Sequence, residues 1–262
     1  MQYTITAPAK LNTSISLPAS KSISNRALVI YALSGGQMLP QNLSDCDDTS
    51  VIINAIRYMP EVIDIGAAGT AMRFLTAYLS VMRGTHIITG TERMKHRPIG
   101  VLVDALRRLG ADIEYTGDEG FPPLRIRGCS LTGGVLEVPG GISSQYISAL
   151  LMIGPVLEEG LELRLTGDII SRPYIDLTLW MMREFGADAE WSGGDTISVK
   201  PQPYKNKVYF IENDWSGASY WYETVALSKD RDATVQLSGL TDGSKQGDSV
   251  VKYIFSLLGV KT

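Results

Sequence analysis

Apolar residues recur with two periods along this chain of 262 residues. In 97–115, RPIGVLVDALRRLGADIEY, Ile99, Leu102, Val103 and Leu106 fall at i, i+3, i+4 and i+7, one face of a helix. The stretch 172–191, RPYIDLTLWMMREFGADAEW, repeats that layout from its Arg-Pro start to its Gly-Ala-Asp exit. Pro98 and Pro173 sit in the first helical turn, where a missing N–H is harmless, and Gly110 and Gly186 mark the ends. Segments with the alternation of strands, at 85–89, 124–127, 161–165 and 196–199, lie between the helices.

Four further helices begin in small or hydroxyl residues, near Lys21, Gly69, Ser143 and Ser216. Each precedes a second helix, beginning near Asp48, Arg97, Arg172 and Gln246, so subtraction gives offsets of 27, 28, 29 and 30 residues. The unit is a repeated α/β module. Periodicity alone does not say how the modules assemble.

With 44% hydrophobic and 20% charged residues the composition is that of an ordinary globular protein. No apolar run reaches the roughly 18 residues of a membrane span, and the start lacks the layout of a signal peptide. Cys46 and Cys129 give no disulfide framework, so a cytoplasmic location is expected. His86 and His96 fit no metal-ligand spacing. A net charge of −4 argues against general nucleic-acid binding. The cations are nevertheless gathered: Arg93, Lys95 and Arg97 fall together, and Lys21, Arg26, Arg73 and Arg172 lie at or near helix starts. That distribution suits a small polyanion.

Residues 17–33, LPASKSISNRALVIYAL, concentrate this chemistry. Lys21, Ser22, Ser24, Asn25 and Arg26 sit where an extended segment turns into a helix. Ser22 and Arg26 share a helical face at the positive end of the dipole, a place that favours anions. The plainer alternative is a Ser N-cap followed by two solvated cations.

Four more motifs follow in order: Gly66-Ala67-Ala68-Gly69-Thr70-Ala71-Met72-Arg73, Arg93-Met94-Lys95-His96-Arg97-Pro98-Ile99-Gly100, Ser143-Ser144-Gln145 and Ser171-Arg172-Pro173-Tyr174-Ile175-Asp176. Together with LPASKSISNRA, they closely resemble the signatures of the 5-enolpyruvylshikimate-3-phosphate synthase family. The resemblance implies an α/β fold, an inside-out α/β barrel (an α–β prism) of repeated modules, with helices inside and their starts facing a cleft. It implies one complete lobe at 20–228 and part of another from 1–19 and 229–262. Members are half as long again, so a carboxy-terminal portion carrying acidic catalysts is expected to be missing and this chain alone to be inactive. Val250, Ile254 and Leu257 of the last helix are then expected to lack a covering sheet.

The implied reaction moves the enolpyruvyl group of phosphoenolpyruvate to the 5-hydroxyl of shikimate 3-phosphate and releases phosphate, with no metal or organic cofactor. By motif position Lys21 contacts phosphoenolpyruvate and assists proton transfer, and Ser22 and Arg26 bind the shikimate moiety. Gly69, Arg97 and Gln145 grip phosphoenolpyruvate; Ser143, Ser144 and Ser171 hold the phosphate of shikimate 3-phosphate; Tyr174 lines the ring pocket. Gly66, Ala67, Ala68, Ala71, Gly217 and Ala218 read as packing residues, as do Arg73 and Arg93, whereas Arg172 is open between a ligand and a solvated cation. His96 has no role. Ala67 and Phe74 replace the family's usual Asn and Pro and bear on sensitivity to glyphosate. The partners implied are the two substrates, without nucleic acid or membrane, and a monomer at full length. Two alternatives stand beside this: a shikimate 3-phosphate-binding fragment without turnover, and UDP-N-acetylglucosamine enolpyruvyl transferase, which shares fold and donor but lacks the Ser22-x-x-x-Arg26 pattern and carries a reactive loop Cys.

Overall fold

Residues 3–4 and 8–262 are described by a computed structural model. In chain order the elements begin with β1 (Asn12–Ser16), α1 (Lys21–Leu33), α2 (Asp47–Tyr58), β2 (Val62–Asp64), α3 (Gly69–Val81) and β3 (Gly84–Thr89). Next come α4 (Glu92–Lys95), α5 (Gly100–Arg108), β4 (Asp112–Tyr115), β5 (Leu124–Gly128), β6 (Gly134–Pro139) and α6 (Ser144–Ile153). The chain continues through β7 (Leu161–Thr166), α7 (Arg172–Glu184), β8 (Ala189–Trp191), β9 (Thr196–Val199), α8 (Trp215–Leu227), β10 (Thr234–Ser238) and α9 (Val251–Ser256). Two units result, Lys21–Ile211 and Met1–Ser20 with Glu212–Thr262.

In the larger unit the repeat reaches the sheets. The orders β2-β3-β5-β4 and β6-β7-β9-β8 are equivalent: the first pair in each is parallel and the rest antiparallel. Along β7, Leu161, Leu163 and Leu165 are buried while Arg164 and Thr166 are exposed, the alternation of a sheet covered on one face. Helices α1, α3 and α6 fill the covered side. Every residue of α3 from Thr70 to Ser80 is buried, so that helix is enclosed all round rather than amphipathic. Its small residues Ala71 and Ala77 let neighbouring helices approach, and Phe74 fills the space beside them. Phe74 is wholly buried, and truncating it to Ala would cost about 3–5 kcal/mol. By contrast α2, α5 and α7 bury one stripe each, Leu102, Val103 and Leu106 in α5.

Helices α5 and α7 stop as their glycines require. Gly110 and Gly186 take positive φ (102° and 84°), and Ala111 and Ala187 then donate back to the carbonyls of Leu106 and Met182. The beginnings differ from expectation in one case. Pro173 does lie in the first turn of α7, but α5 starts at Gly100, after Pro98. Proline disfavours helical backbone in the residue before it, so Arg97 is held outside the helix. The short α4, capped by the Thr91 hydroxyl accepting from the Met94 amide, has too few residues to show a period.

The smaller unit pairs β1 with β10 in parallel, Asn12 opposite Thr234 and Ser16 opposite Ser238. Its core is Leu17, Trp215, Ala218, Tyr222 and Val260. Contacts group α8 with this unit, whose second segment begins at Glu212; the sequence reading begins that segment at residue 229. Trp215, Ala218 and Tyr222 of α8 pack on Leu17 and Val260, a pairing too distant in sequence for periodicity to show. Val250, Ile254 and Leu257 are 47%, 52% and 86% exposed. Among the described residues no helix is long and apolar enough to cross a membrane.

Candidate functional site

Helix starts of the larger unit meet at one end, and side chains trace the meeting. Lys21 opens α1, its Nζ 4.0 Å from Oδ2 of Asp48 in the first turn of α2. The other carboxylate oxygen of Asp48 accepts from the backbone N–H groups of Thr70 and Ala71 (2.9 and 3.4 Å), which begin α3. Thr70 Oγ1 accepts from Nε2 of Gln145, in the first turn of α6 (3.2 Å). Beside Gln145, Tyr146 donates its hydroxyl to the Pro98 carbonyl in the lead-in to α5 (2.6 Å). Arg97, in that lead-in, lies against Gly69: a Cβ added there would sit 2.5 Å from its Nη1. Arg26, in the second turn of α1, closes the ring by reaching α6 and α7. Each helix start carries the partial positive charge of its dipole, so their convergence favours anions.

The cations around this ring have different fates. Arg26 is 3% exposed and donates to Thr178 Oγ1 (2.7 Å), the Ser22 carbonyl (2.8 Å), Ser148 Oγ (3.0 Å) and the Tyr174 carbonyl (3.5 Å). No carboxylate pairs with it among the described residues, and burial pulls its pKa down to about 10, Tyr174 opposing. Arg73 curls back to donate to the Gly69 carbonyl (2.9 Å) under the ring of Tyr146, and its Nε is buried without a partner among the described residues. Arg172 is stacked 4.0 Å from the ring of Trp191 and donates to the Gly194 carbonyl, so its charge is spent on packing. Lys95 pairs with Glu92 at 2.7 Å.

Arg97 differs. It is exposed, and among the described residues nothing hydrogen-bonds or ion-pairs with its guanidinium. Partial burial, then the like charge of Arg73, pull its pKa below the ordinary guanidinium value, with Tyr146 opposing. A cation with no protein partner, held at a ring of helix starts beside a glycine, is free to take an anion's oxygens in its planar fork.

The hydroxyls sit at the same helix ends. Ser143 caps α6, accepting from the Gln145 amide (3.4 Å), and Ser144 is 8% exposed behind it. Ser171 precedes α7 in left-handed backbone, φ 55° and ψ 34°, and its hydroxyl caps nothing. Non-glycine residues avoid that region, and strain of this kind collects at functional sites. Tyr174 is 38% exposed, its ring 5.9 Å from the Arg26 guanidinium. Lys21, Gly69, Arg97 and Gln145 thus form one group with Asp48 and Thr70. Arg26, Ser22 and Tyr174 form a neighbouring one.

The sequence reading names Asp48 only as a helix start and does not single out Thr178, Ser148 or Tyr146. Asp48 could have been suspected as an acidic residue at a helix start, but its partners are the amides of a different helix. Ser148 and Thr178 interrupt apolar faces, which was the available signal. His96 is exposed with Nδ1 at 2.7 Å from the Glu92 carbonyl, and Cys46 and Cys129 turn to Thr49 and the Gly110 carbonyl. No group of three His, Cys, Asp or Glu among the described residues could hold a metal ion.

Known proteins resemble this chain in sequence and in fold. A 3-phosphoshikimate 1-carboxyvinyltransferase of Bacteroides fragilis (strain ATCC 25285) is 60% identical over 262 residues, all of this chain and 63% of the relative. One of Yersinia pestis bv. Antiqua (strain Angola) is 38% identical over 97% of this chain and 65% of its own length. The chain therefore spans under two thirds of these relatives. The solved EPSP synthase of Acinetobacter baumannii matches with a TM-score of 0.76 at 24% identity, over 88% of this chain and 56% of that one, and so shows the same fold. The family model described as EPSP synthase (3-phosphoshikimate 1-carboxyvinyltransferase) matches residues 5–62 and 58–261. With nearly its whole length matched, the chain belongs to the EPSP synthase family.

Proposed function

We propose that this chain supplies one substrate-binding half of a 3-phosphoshikimate 1-carboxyvinyltransferase, its helices enclosed by sheets as in an inside-out α/β prism. The observation that carries this is the partnerless Arg97 guanidinium against Gly69, at a ring of helix starts. Phosphoenolpyruvate carries a phosphate and a carboxylate, and Arg97, Gln145 and the backbone at Gly69 supply cation and donors for them. Ser143, Ser144 and Ser171 hold the phosphate of shikimate 3-phosphate, with Ser22, Arg26 and Tyr174 around its ring and carboxylate. Holding two anions together in this way replaces their mutual repulsion with fixed positive charge.

In the whole protein the 5-hydroxyl adds to C2 of phosphoenolpyruvate as C3 takes a proton. The adduct then loses phosphate by C–O cleavage and gives a proton back from C3. In this reading Lys21 moves such a proton, supported by its half-exposed side chain and loose pairing with Asp48 (4.0 Å). Turnover by this chain without the remaining third of its relatives' length is not expected.

The test is titration of the chain with shikimate 3-phosphate by NMR or calorimetry. Ser143→Ala and Ser171→Ala should each weaken binding by about 1–3 kcal/mol, since each removes a hydrogen bond to a charged group. Affinity unchanged in the double variant would place the phosphate elsewhere.

A further inference from the structure

Arg97 is exposed and unpartnered, yet an anion clamp must be held in place before the anion arrives. Its own backbone offers little restraint, because Pro98 keeps it out of α5 and its amide reaches only the Met94 carbonyl at 3.0 Å. The structure assigns the restraint to Tyr146: we infer that this residue positions Arg97 for the phosphoenolpyruvate group. The inference rests on the substrate reading above.

Three contacts carry it. The Tyr146 hydroxyl donates to the carbonyl of Pro98, the residue directly after Arg97, at 2.6 Å. The Tyr146 ring carries the Arg73 guanidinium at 5.5 Å from its centroid, and Arg73 in turn donates to the Gly69 carbonyl at 2.9 Å. Arg97 rests on Gly69, so the four residues form a closed circuit with Tyr146 at its root. Tyr146 is 9% exposed and sits on the enclosed α6, so its ring is fixed by packing, whereas Arg97 is exposed. The same ring also keeps Arg73 against the carbonyl of Gly69. That holds a second cation close to Arg97 without letting it compete for the solvent-facing position. Tyr146 is thus a positioning residue: it acts through Pro98 and Arg73, not on the substrate.

The decisive variant is Tyr146→Phe, which removes one hydroxyl and leaves the ring over Arg73. Amide hydrogen exchange is read first, because it needs no ligand. The amides of Arg97 and Ile99 should exchange at least fivefold faster, while Leu150 within α6 stays unchanged. Binding is read second, by NMR titration of the chain. Affinity for phosphoenolpyruvate should fall about tenfold, and that for shikimate 3-phosphate should stay within twofold. Unchanged exchange at Arg97 overturns the anchoring, and so does an equal fall for both ligands, which marks a general loosening of the fold. Wild-type chain that binds neither ligand would overturn the substrate reading itself. That outcome is distinct, since failure of the Tyr146 argument leaves wild-type binding intact. Tyr146→Leu removes ring and hydroxyl together, and it should weaken phosphoenolpyruvate further if the circuit through Arg73 holds. An affinity equal to that of Tyr146→Phe would overturn the Arg73 half of the inference.

Discussion

Replacing Arg26 by methionine separates a ligand held at a cost from a structural brace. Arg26 is 3% exposed, and its guanidinium donates only to hydroxyl and carbonyl oxygens among the described residues. Burial, opposed by Tyr174, takes its pKa from the ordinary guanidinium value down to about 10. At about 1.4 kcal/mol for each tenfold change, that lowering is a penalty of about 3 kcal/mol on the folded state. The charged form is the penalised one. The penalty is therefore carried in full at neutral pH and relieved only as the pH rises through about 10 and beyond.

Removing the cation orphans none of its partners. Ser148 and Thr178 stay bonded to each other at 2.8 Å, Thr178 still donates to the Tyr174 carbonyl at 2.8 Å, and the Ser22 carbonyl keeps its place in α1. Methionine has a similar reach and can cover Phe74, whose ring lies 5.4 Å from the guanidinium. Arg26→Met should then be as stable as the wild type in urea at pH 7, or more stable by up to about 3 kcal/mol. For a chain of this size each kcal/mol raises Tm by about 2–4 °C. The gain should shrink above pH 10, and affinity for shikimate 3-phosphate should fall at least tenfold. A loss of about 3–5 kcal/mol at pH 7, the usual result of breaking a buried ionic group's contacts, would refute the reasoning. It would mean that four hydrogen bonds outweigh desolvation and that Arg26 braces three helices.

Gly69→Ala puts a Cβ 2.5 Å from Arg97 Nη1, the far end of a flexible side chain, so Arg97 must move while α3 gains up to about 1 kcal/mol from alanine. Phosphoenolpyruvate affinity should drop at least tenfold with an equal or higher urea midpoint, and a lower midpoint would show that Gly69 serves packing instead. Ser171→Gly relieves the left-handed backbone at φ 55° and should unfold no earlier than the wild type, yet bind shikimate 3-phosphate more weakly. Ser171→Ala keeps the strain, so urea melts should place it below the glycine variant by up to about 1 kcal/mol. Lys21→Arg preserves the charge that the α1 dipole sees, and stability should hold within about 0.5 kcal/mol. Turnover in a protein of the relatives' full length should still fall more than tenfold, because guanidinium does not give up a proton near neutrality; a kcat within about threefold removes Lys21 from the chemistry.

Much of the architecture was legible because the helices repeat. The pairs beginning near Lys21 and Asp48, and near Ser143 and Arg172, appear as α1 with α2 and α6 with α7, within one or two residues. Strand 196–199 appears with those bounds, and Gly110 and Gly186 end their helices. Short elements were not legible: β2 and β8 have three residues each, too few for a period. The packing of α8 was not legible either, because Leu17, against which it lies, is about 200 residues away in sequence. In the site, motif order named helix starts that the structure brings near one another. It could not tell which cations were already occupied, because Trp191 under Arg172 and Thr178 beside Arg26 lie on other segments of the chain.

That sorting of cations is what makes the end of the helices chemically distinct. On the β4–β5 surface of the larger unit Arg125 meets Glu114 (3.2 Å) and Arg127 meets Asp112 (3.1 Å), pairs worth about 0–1 kcal/mol each. Around the helix starts the pattern reverses. Arg26 is buried without a carboxylate, Arg73 keeps an Nε with no partner among the described residues, and Arg97 faces solvent beside two like charges. Ser171 holds strained backbone with its hydroxyl capping nothing. Each feature is unfavourable alone, and all fall at one end of one unit of a chain whose net charge is −4. Asp48 does not neutralise them, since one of its oxygens is committed to the amides of α3 and the other stands 4.0 Å from Lys21. A phosphate and a carboxylate brought to this end would supply the missing counter-charge and acceptors together. The unfavourable terms would then become binding energy, which is the physical argument for the proposal that two anionic substrates meet at the ring of helix starts.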